Sequence, residues 1–262
     1  MIDSGQNKIA KLIKSLENRK YRDKEKLFTA EGLRFTSEIP NDYEILFYAV
    51  SETYADENDA GLLEKRAKVH IFSDKAFKDI SSTDNPQGIM AIVKQKSYSV
   101  PDVIDAAGGN GMFIMAENLN DPGNLGTIIR TADACSFSGV FISSGSVDVY
   151  SPKVLRSTMG SVFHIPVIRN ADICECAGFL KENGISMYAA HLGGEKTPYS
   201  FNFKKGCCFL IGNEANGLSG KALDLADEYI KIPMPGKAES LNASVAAAVL
   251  MYEAVRQRID ME

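Results

Sequence analysis

The sequence lacks most of the short signatures that mark nucleotide- and metal-using enzymes. Its five cysteines (Cys135, Cys174, Cys176, Cys207, Cys208) are an odd number and form no CxxC pair. Zinc needs about four convergent soft or imidazole ligands, and only His70, His164 and His191 are available to supplement the thiols. The expectation is reduced core cysteines and no metal. No GxGxxG opens a strand-to-helix turn and no GxxxxGK[ST] occurs, which leaves dinucleotide sites and the common phosphate loop without support. No GxSxG is present, so an esterase has no nucleophile. The opening stretch MIDSGQNKIAKLIKSLENRK has no apolar h-region. The longest apolar-rich run, residues 243–252, is too short and Ala-rich to span a bilayer. A cytoplasmic protein without a membrane partner is expected.

What is present suits one large or two modest domains: 262 residues, 45% hydrophobic and 24% charged. The net charge of −5 is unevenly spread. From Lys8 to Lys26 there are eight basic and three acidic residues, a net +5, so the remainder carries −10. Screening confines such a field to roughly 8–10 Å, and a local basic face on an acidic protein still holds phosphates. A solvated helix face explains the same charges. Both readings stand at this point.

Ile9, Leu12, Ile13 and Leu16 follow an i, i+3, i+4, i+7 pattern, predicting an amphipathic helix over 7–18. Strands are predicted at 27–30, 43–51, 68–73 and 88–95, with helices at 32–38, 59–67 and 74–79, which describes a small α/β module over 1–97. Residues 98–110, with a proline and a Gly-Gly pair, read as a linker. From 111 to 262, apolar strands at 111–119, 139–143, 164–168, 186–191, 207–211 and 229–232 alternate with helical stretches. This implies a parallel sheet covered on both faces. His164, inside an apolar strand, reads as a core histidine.

Three blocks in this second half carry the chemistry: NLNDPGNLGTIIRTADA (118–134), FLIGNEANGLS (209–219) and IPMPGKAESLNASVAAAV (232–249). In the first, Asn124 reads as the N-cap of a helix over 125–135, with Arg130 off its apolar face. Arg130 suits a phosphate or ribose oxygen, or else pairs with Asp133 on the surface. In the second, Gly212 permits close backbone approach to a flat ligand, and Glu214 caps a helix, holds a ribose hydroxyl or fixes Arg130. Upstream, His191–Gly194 ends another strand, and its loop edges the same pocket. In the third, residues 232–235 form an extended segment able to offer N–H and C=O groups to adenine, and Ser240, Leu241 and Asn242 lead into an Ala-rich helix over 243–256. Arg156, in the segment 146–167, contacts RNA or is merely an exposed helix arginine.

In this order and spacing the three blocks resemble the SpoU/TrmH family of RNA ribose 2′-O-methyltransferases. KYRDKEKLFTAEGLRF (20–35) and NPQGIMAIV (85–93) resemble the ribosomal-protein-like substrate-binding domain that precedes many of the family's catalytic domains. The resemblance implies an α/β fold whose C-terminal parallel-sheet domain is tied in a deep trefoil knot (SPOUT-like), although pattern reasoning by itself argues against threaded chains. It implies S-adenosylmethionine as cofactor, S-adenosylhomocysteine as product, a homodimer, and structured RNA as substrate, with 23S ribosomal RNA favoured by the two-domain layout. It assigns Asn124, Arg130, Glu214, Ser240 and Asn242 to catalysis. Gly193, Leu210, Gly212, Ile232, Pro233, Met234 and Leu241 fall to the cofactor, and Lys11, Lys14, Lys20, Arg22 and Arg156 to RNA. Family accounts cast the arginine as general base; since guanidinium groups hold their proton so firmly, lowering the hydroxyl's pKa or gripping a phosphate serves equally. The alternatives are a catalytically silent RNA-binding or ribosome-assembly protein, and the same chemistry on transfer RNA.

Overall fold

The computed structural model describes residues 1–259; the last three positions of the range 111–262 lie outside them. The chain divides into two compact units, Met1–Lys96 with Tyr150–Phe163, and Ser97–Val149 with His164–Glu262.

The first unit opens with α1 (Lys8–Ser15) and α2 (Arg19–Glu25), where a single helix was expected. Two asparagines explain the break: Asn7 caps α1, and Asn18 accepts from Lys20 N to start a second helix. There follow β1 (Leu27–Glu31), α3 (Leu33–Ser37), β2 (Ile45–Ser51), α4 (Glu52–Glu57), α5 (Ala60–Glu64), β3 (Val69–Phe72), α6 (Asp74–Ile80) and β4 (Ile89–Lys94). The sheet order is β1-β4-β2-β3, antiparallel except for the β2–β3 pair. One face packs on α1 and α6 through Ile13, Leu16, Phe47, Phe72, Phe77 and Ile92. Strand side chains alternate, so Phe28 points the other way. There it stacks on Tyr150 at 4.6 Å, while Phe163 meets Phe28, Phe35 and Tyr43. The segment 150–163 thus covers a face that would otherwise leave aromatic rings in water.

The second unit begins with α7 (Val100–Ala107), whose Val103 and Ile104 are buried in its core. Ser99 caps that helix and Pro101 sits in its first turn, so the sequence read as a linker carries packed structure. The remaining elements are β5 (Met112–Ala116), α8 (Pro122–Ala134), β6 (Gly139–Ser143), α9 (Pro152–Thr158, in the first unit), β7 (Val167–Ala171), α10 (Ile173–Glu182), β8 (Ser186–Ala190), β9 (Cys207–Ile211), α11 (Gly220–Leu225), β10 (Glu228–Ile230) and α12 (Ala243–Arg258). The six strands lie in order β10-β8-β9-β5-β6-β7 and every pair is parallel. Phe113, Met115, Phe141, Met187, Cys208 and Leu210 pack with α7, α10 and α11 on one face. The alternate positions face α8 and α12. A parallel sheet needs such two-sided cover, and the near-continuous apolar strands supply both faces.

His164 departs from expectation: it precedes β7, is exposed, and bonds Asp133 Oδ2 through Nδ1 at 3.1 Å. Burial pushes the thiols of Cys135, Cys176 and Cys207 up to about 11, about 12 and about 12, and Cys208 well above its ordinary value, which keeps them unreactive at neutral pH. Among the described residues no helix is long and apolar enough to cross a membrane, and no group of three His, Cys, Asp or Glu side chains could hold a metal.

Candidate active site

The turn after β5 begins α8 earlier than the sequence suggested. Asp121, not Asn124, is the N-cap: its Oδ1 accepts from Asn124 N at 2.8 Å, and Pro122 fills the first helical position. The shift frees the Asn124 side chain for another task. Its Nδ2 donates to Glu214 Oε1 at 2.8 Å, and its Oδ1 accepts from Asn242 Nδ2 at 2.8 Å. Ser244 Oγ donates to the same Oδ1 at 3.4 Å and to Asn242 Oδ1 at 2.7 Å. Asn242 caps α12 by accepting from Ser244 N at 2.9 Å and Val245 N at 3.3 Å. One amide, 8% exposed, therefore ties together residues some 90 and 118 positions apart.

Glu214 also accepts from the backbone N–H groups of Asn120 and Asp121, each at 3.4 Å. Desolvation opposes its ionisation, but the Asn124 side chain and these backbone donors outweigh it, and the carboxyl lies below its ordinary pKa. The loop bearing it is a tight hairpin. Asn213 and Gly217 exchange backbone hydrogen bonds, Asn213 Oδ1 accepts from Ala215 N and Asn216 N, and Asn213 Nδ2 donates to Asn118 O at 2.7 Å. Gly212 is required here for a reason the sequence did not reveal. A Cβ on it would lie 2.2 Å from Gly217 C and 2.3 Å from Leu218 N, so the close approach is to the chain's own backbone. Buried Glu117, at the end of β5, holds the far side of the loop by accepting from Ser219 N at 2.8 Å and Ser219 Oγ at 2.7 Å. A charge directly after a continuous apolar strand was the available signal for it.

Beyond the carboxyl ends of β8, β9 and β10 lies a cavity of about 350 Å³, the position where parallel sheets take ligands. Its wall includes Gly212, Glu214, Ile232, Met234, Ser240 and Leu241 from the expected set, and also His191, Leu192, Ile211, Leu218, Ile230 and Ala246. Three expected contacts are displaced. Leu210 points into the hydrophobic core, and the next residue, Ile211, turns to the cavity. Along the extended segment Ile232 and Met234 face the cavity and Pro233 faces solvent, by the same period of two. Gly193 lines a separate shallow crevice with Lys196 and Tyr229.

Arg130 sits on α8, two turns beyond Asn124 rather than at the helix start. It is exposed and has no hydrogen bond or ion pair among the described residues. Asp133, its alternative partner, bonds His164 instead.

Of the expected RNA contacts in the first unit, Lys11, Lys14 and Lys20 are exposed. Arg156 is exposed and donates to Ser82 Oγ at 3.2 Å. Arg22 must be withdrawn. It is 3% exposed, and its Nη1 donates to Leu16 O at 2.6 Å and Glu17 O at 2.7 Å, closing the carbonyl end of α1.

Residues 111–252 match the SpoU rRNA Methylase family, and residues 7–91 match the MRM3-like substrate binding domain. The 23S rRNA (guanosine(2553)-2'-O)-methyltransferase RlmP of Bacillus subtilis is 33% identical over 257 residues, covering 96% of this chain and 97% of its own. An AdoMet-bound rRNA methyltransferase from Sinorhizobium meliloti is similar in structure, with a TM-score of 0.88, 31% identity, and coverage of 99% of this chain and 98% of its own. The SpoU methyltransferase AviRb from Streptomyces viridochromogenes, in complex with AdoMet, has a TM-score of 0.88 at 27% identity over 97% and 98% of the two chains.

Proposed function

This chain belongs to the SpoU rRNA methylase family, and from that premise we propose that it methylates a ribose 2′-hydroxyl of 23S ribosomal RNA, using S-adenosylmethionine. The observation carrying this reading is the convergence of three distant sequence blocks on Asn124 beside a cavity of suitable size. The cavity fits the cofactor: Ile211, Leu218, Ile230, Ile232 and Leu241 give apolar walls for a purine, with Glu214 and Ser240 among its polar groups. When bound, S-adenosylmethionine supplies an electrophilic methyl group and leaves as S-adenosylhomocysteine.

The chain's own residues supply position and field. Glu214, held ionised, fixes the amide of Asn124, which in turn orients Asn242. Ser240 lies on the cavity wall, and Asn242 follows it by two residues at the start of α12. Arg130 brings a positive charge to the ribose, where it lowers the hydroxyl's pKa or holds the adjoining phosphate. Most of the acceleration comes from holding oxygen and methyl at about 3–3.5 Å. The first unit grips the RNA by Lys11, Lys14, Lys20 and Arg156, and the second unit binds the cofactor. We infer in addition a knotted C-terminal segment, a cytoplasmic location and a homodimer, readings that family membership supports. Val245 and Tyr252, seven residues apart on α12 and 47% and 56% exposed, form an apolar stripe that supports the dimer, and Ile259, 59% exposed, follows directly after the helix.

The test is transfer of a radiolabelled methyl group to total RNA from cells lacking the protein. Label entering the large ribosomal RNA with wild type, and none with Arg130→Ala, is the expected result. Label in transfer RNA redirects the substrate assignment. Wild-type protein that binds RNA yet transfers no label is a binding module, and the enzyme reading fails.

A further inference from the structure

We propose that Arg156 is a preset fork for a backbone phosphate of the RNA, and that Ser82 is the positioning residue that aims it. This rests on the reading that the first unit grips RNA, and it adds the group gripped and the residue that sets the geometry. Arg156 lies in the last turn of α9, a helix anchored by its buried Val154, Leu155 and Thr158. Its own side chain is exposed, and its Nη1 donates to Ser82 Oγ at 3.2 Å. Ser82 belongs to the loop after α6, and that loop is drawn to Glu31, the last residue of the edge strand β1.

The Glu31 carboxylate collects four donors from three consecutive residues. Its Oε1 accepts from Ser81 Oγ, and from Thr83 Oγ1 at 3.1 Å. Its Oε2 accepts from Ser82 N at 3.0 Å and Ser82 Oγ at 2.6 Å. A serine hydroxyl has one proton, and Ser82 spends it on Glu31. Toward Arg156 it can therefore only accept. The four donors also occupy a carboxylate's lone-pair positions, and no ion pair joins Glu31 to Arg156 among the described residues. The Ser82 hydroxyl stands between the two charges, so the guanidinium is oriented without being neutralised. Arg22 is the opposite case, buried and spent on two carbonyls. Arg156 uses one of the five N–H groups a guanidinium carries, and the other four find no acceptor among the described residues. A planar fork meets two phosphate oxygens only when its plane is set, whereas a lysine needs no such aim. Lys153, one turn earlier on the same face of α9, is exposed and adds a second positive charge.

Filter binding of the full chain to unmodified large ribosomal RNA made by transcription, over a range of salt, separates aim from charge. Arg156→Ala should weaken binding about tenfold near physiological salt and reduce the slope of log K against log salt by about 1. Ser82→Ala keeps every charge. It should weaken binding about threefold, the scale of ordering one long side chain at an interface, at unchanged slope and melting temperature. Ser82→Thr keeps the hydroxyl and should bind like wild type. In the Arg156→Ala background, Ser82→Ala should cost nothing further. Ser82→Ala binding like wild type, or losing as much without Arg156 as with it, overturns the proposal. An Arg156→Ala protein with unchanged affinity and slope also overturns it, since there is then no phosphate to aim at. Wild type that binds no RNA fails before any substitution is compared, and takes with it the RNA-gripping role of the first unit.

Discussion

Around the cavity Asn124, Glu214 and Asn242 hold one another at 2.8 Å, whereas on α1 and α2 Lys11, Lys14 and Lys20 stand exposed, with no ion pair among the described residues. The first arrangement fixes geometry and the second leaves it loose. Methyl transfer tolerates errors of only about 0.5 Å in the reacting groups, so its side chains are wired to one another before any ligand arrives. A polyanion's phosphates can be met by many lysine rotamers, each screened beyond about 8 Å. Wiring would add little there. Arg22 shows what happens when a cation in the basic segment is wired: its guanidinium is spent on the carbonyls of α1 and is lost to RNA.

Breaking the hub gives the largest effect. Asn124→Ala leaves Asn242 Nδ2 and Glu214 without their shared partner. The methyl-transfer rate should fall by about 10³-fold, the scale of losing one preorganised polar group, while RNA affinity in a filter-binding assay stays put. A loss of RNA affinity equal to the loss of rate would dissolve the contrast. Next comes Arg22→Met, which keeps the apolar stem and removes the donors. It should destabilise the protein by about 1–3 kcal/mol, because two carbonyls at the end of α1 lose their donor. The urea midpoint measures that cost. RNA binding that weakens at an unchanged midpoint would return Arg22 to the phosphate-contacting set.

The sequence pattern reached the α/β class, the parallel sheet and the three blocks, because strand periodicity and turn residues are local signals. It misjudged how individual side chains are used. The Asp121–Pro122 pair is itself a helix-start signal. Weighing it would have moved the cap back three residues and released Asn124 for the hub. Leu210 and Ile211 differ only in which side of the sheet each faces, and one position of register decides which touches the cavity. Arg22 sits among seven other basic residues between Lys8 and Lys26, and only the bonds of its guanidinium to Leu16 O and Glu17 O distinguish it. Nor does any local pattern show that residues 150–163 cover the first sheet, since the ring contacts of Phe163 join residues more than 100 positions apart.

Two smaller effects sharpen the same contrast. Neutralising Lys11, Lys14 and Lys20 together should weaken RNA binding about tenfold near physiological salt and reduce the slope of log K against log salt by about 2–3. Methyl transfer at saturating RNA should be untouched, because no member of the hub is altered. A slope that does not change would leave these lysines as a solvated face. The smallest effect is the acid dependence of the hub. Glu214 has a lowered pKa in the folded protein, so its contribution to stability is complete above the ordinary glutamate range and is lost as pH falls through the lowered value. Its exposure keeps the amount small. Between pH 7 and 4 the affinity for S-adenosylhomocysteine should hold until the acid end of that window and then decline, as a protonated carboxyl ceases to accept from Asn124. In Glu214→Gln the affinity should start lower and lose that decline, since the amide does not titrate. A decline of equal size in both proteins would place the titrating group elsewhere, and the wiring around Asn124 would then owe nothing to the charge on Glu214.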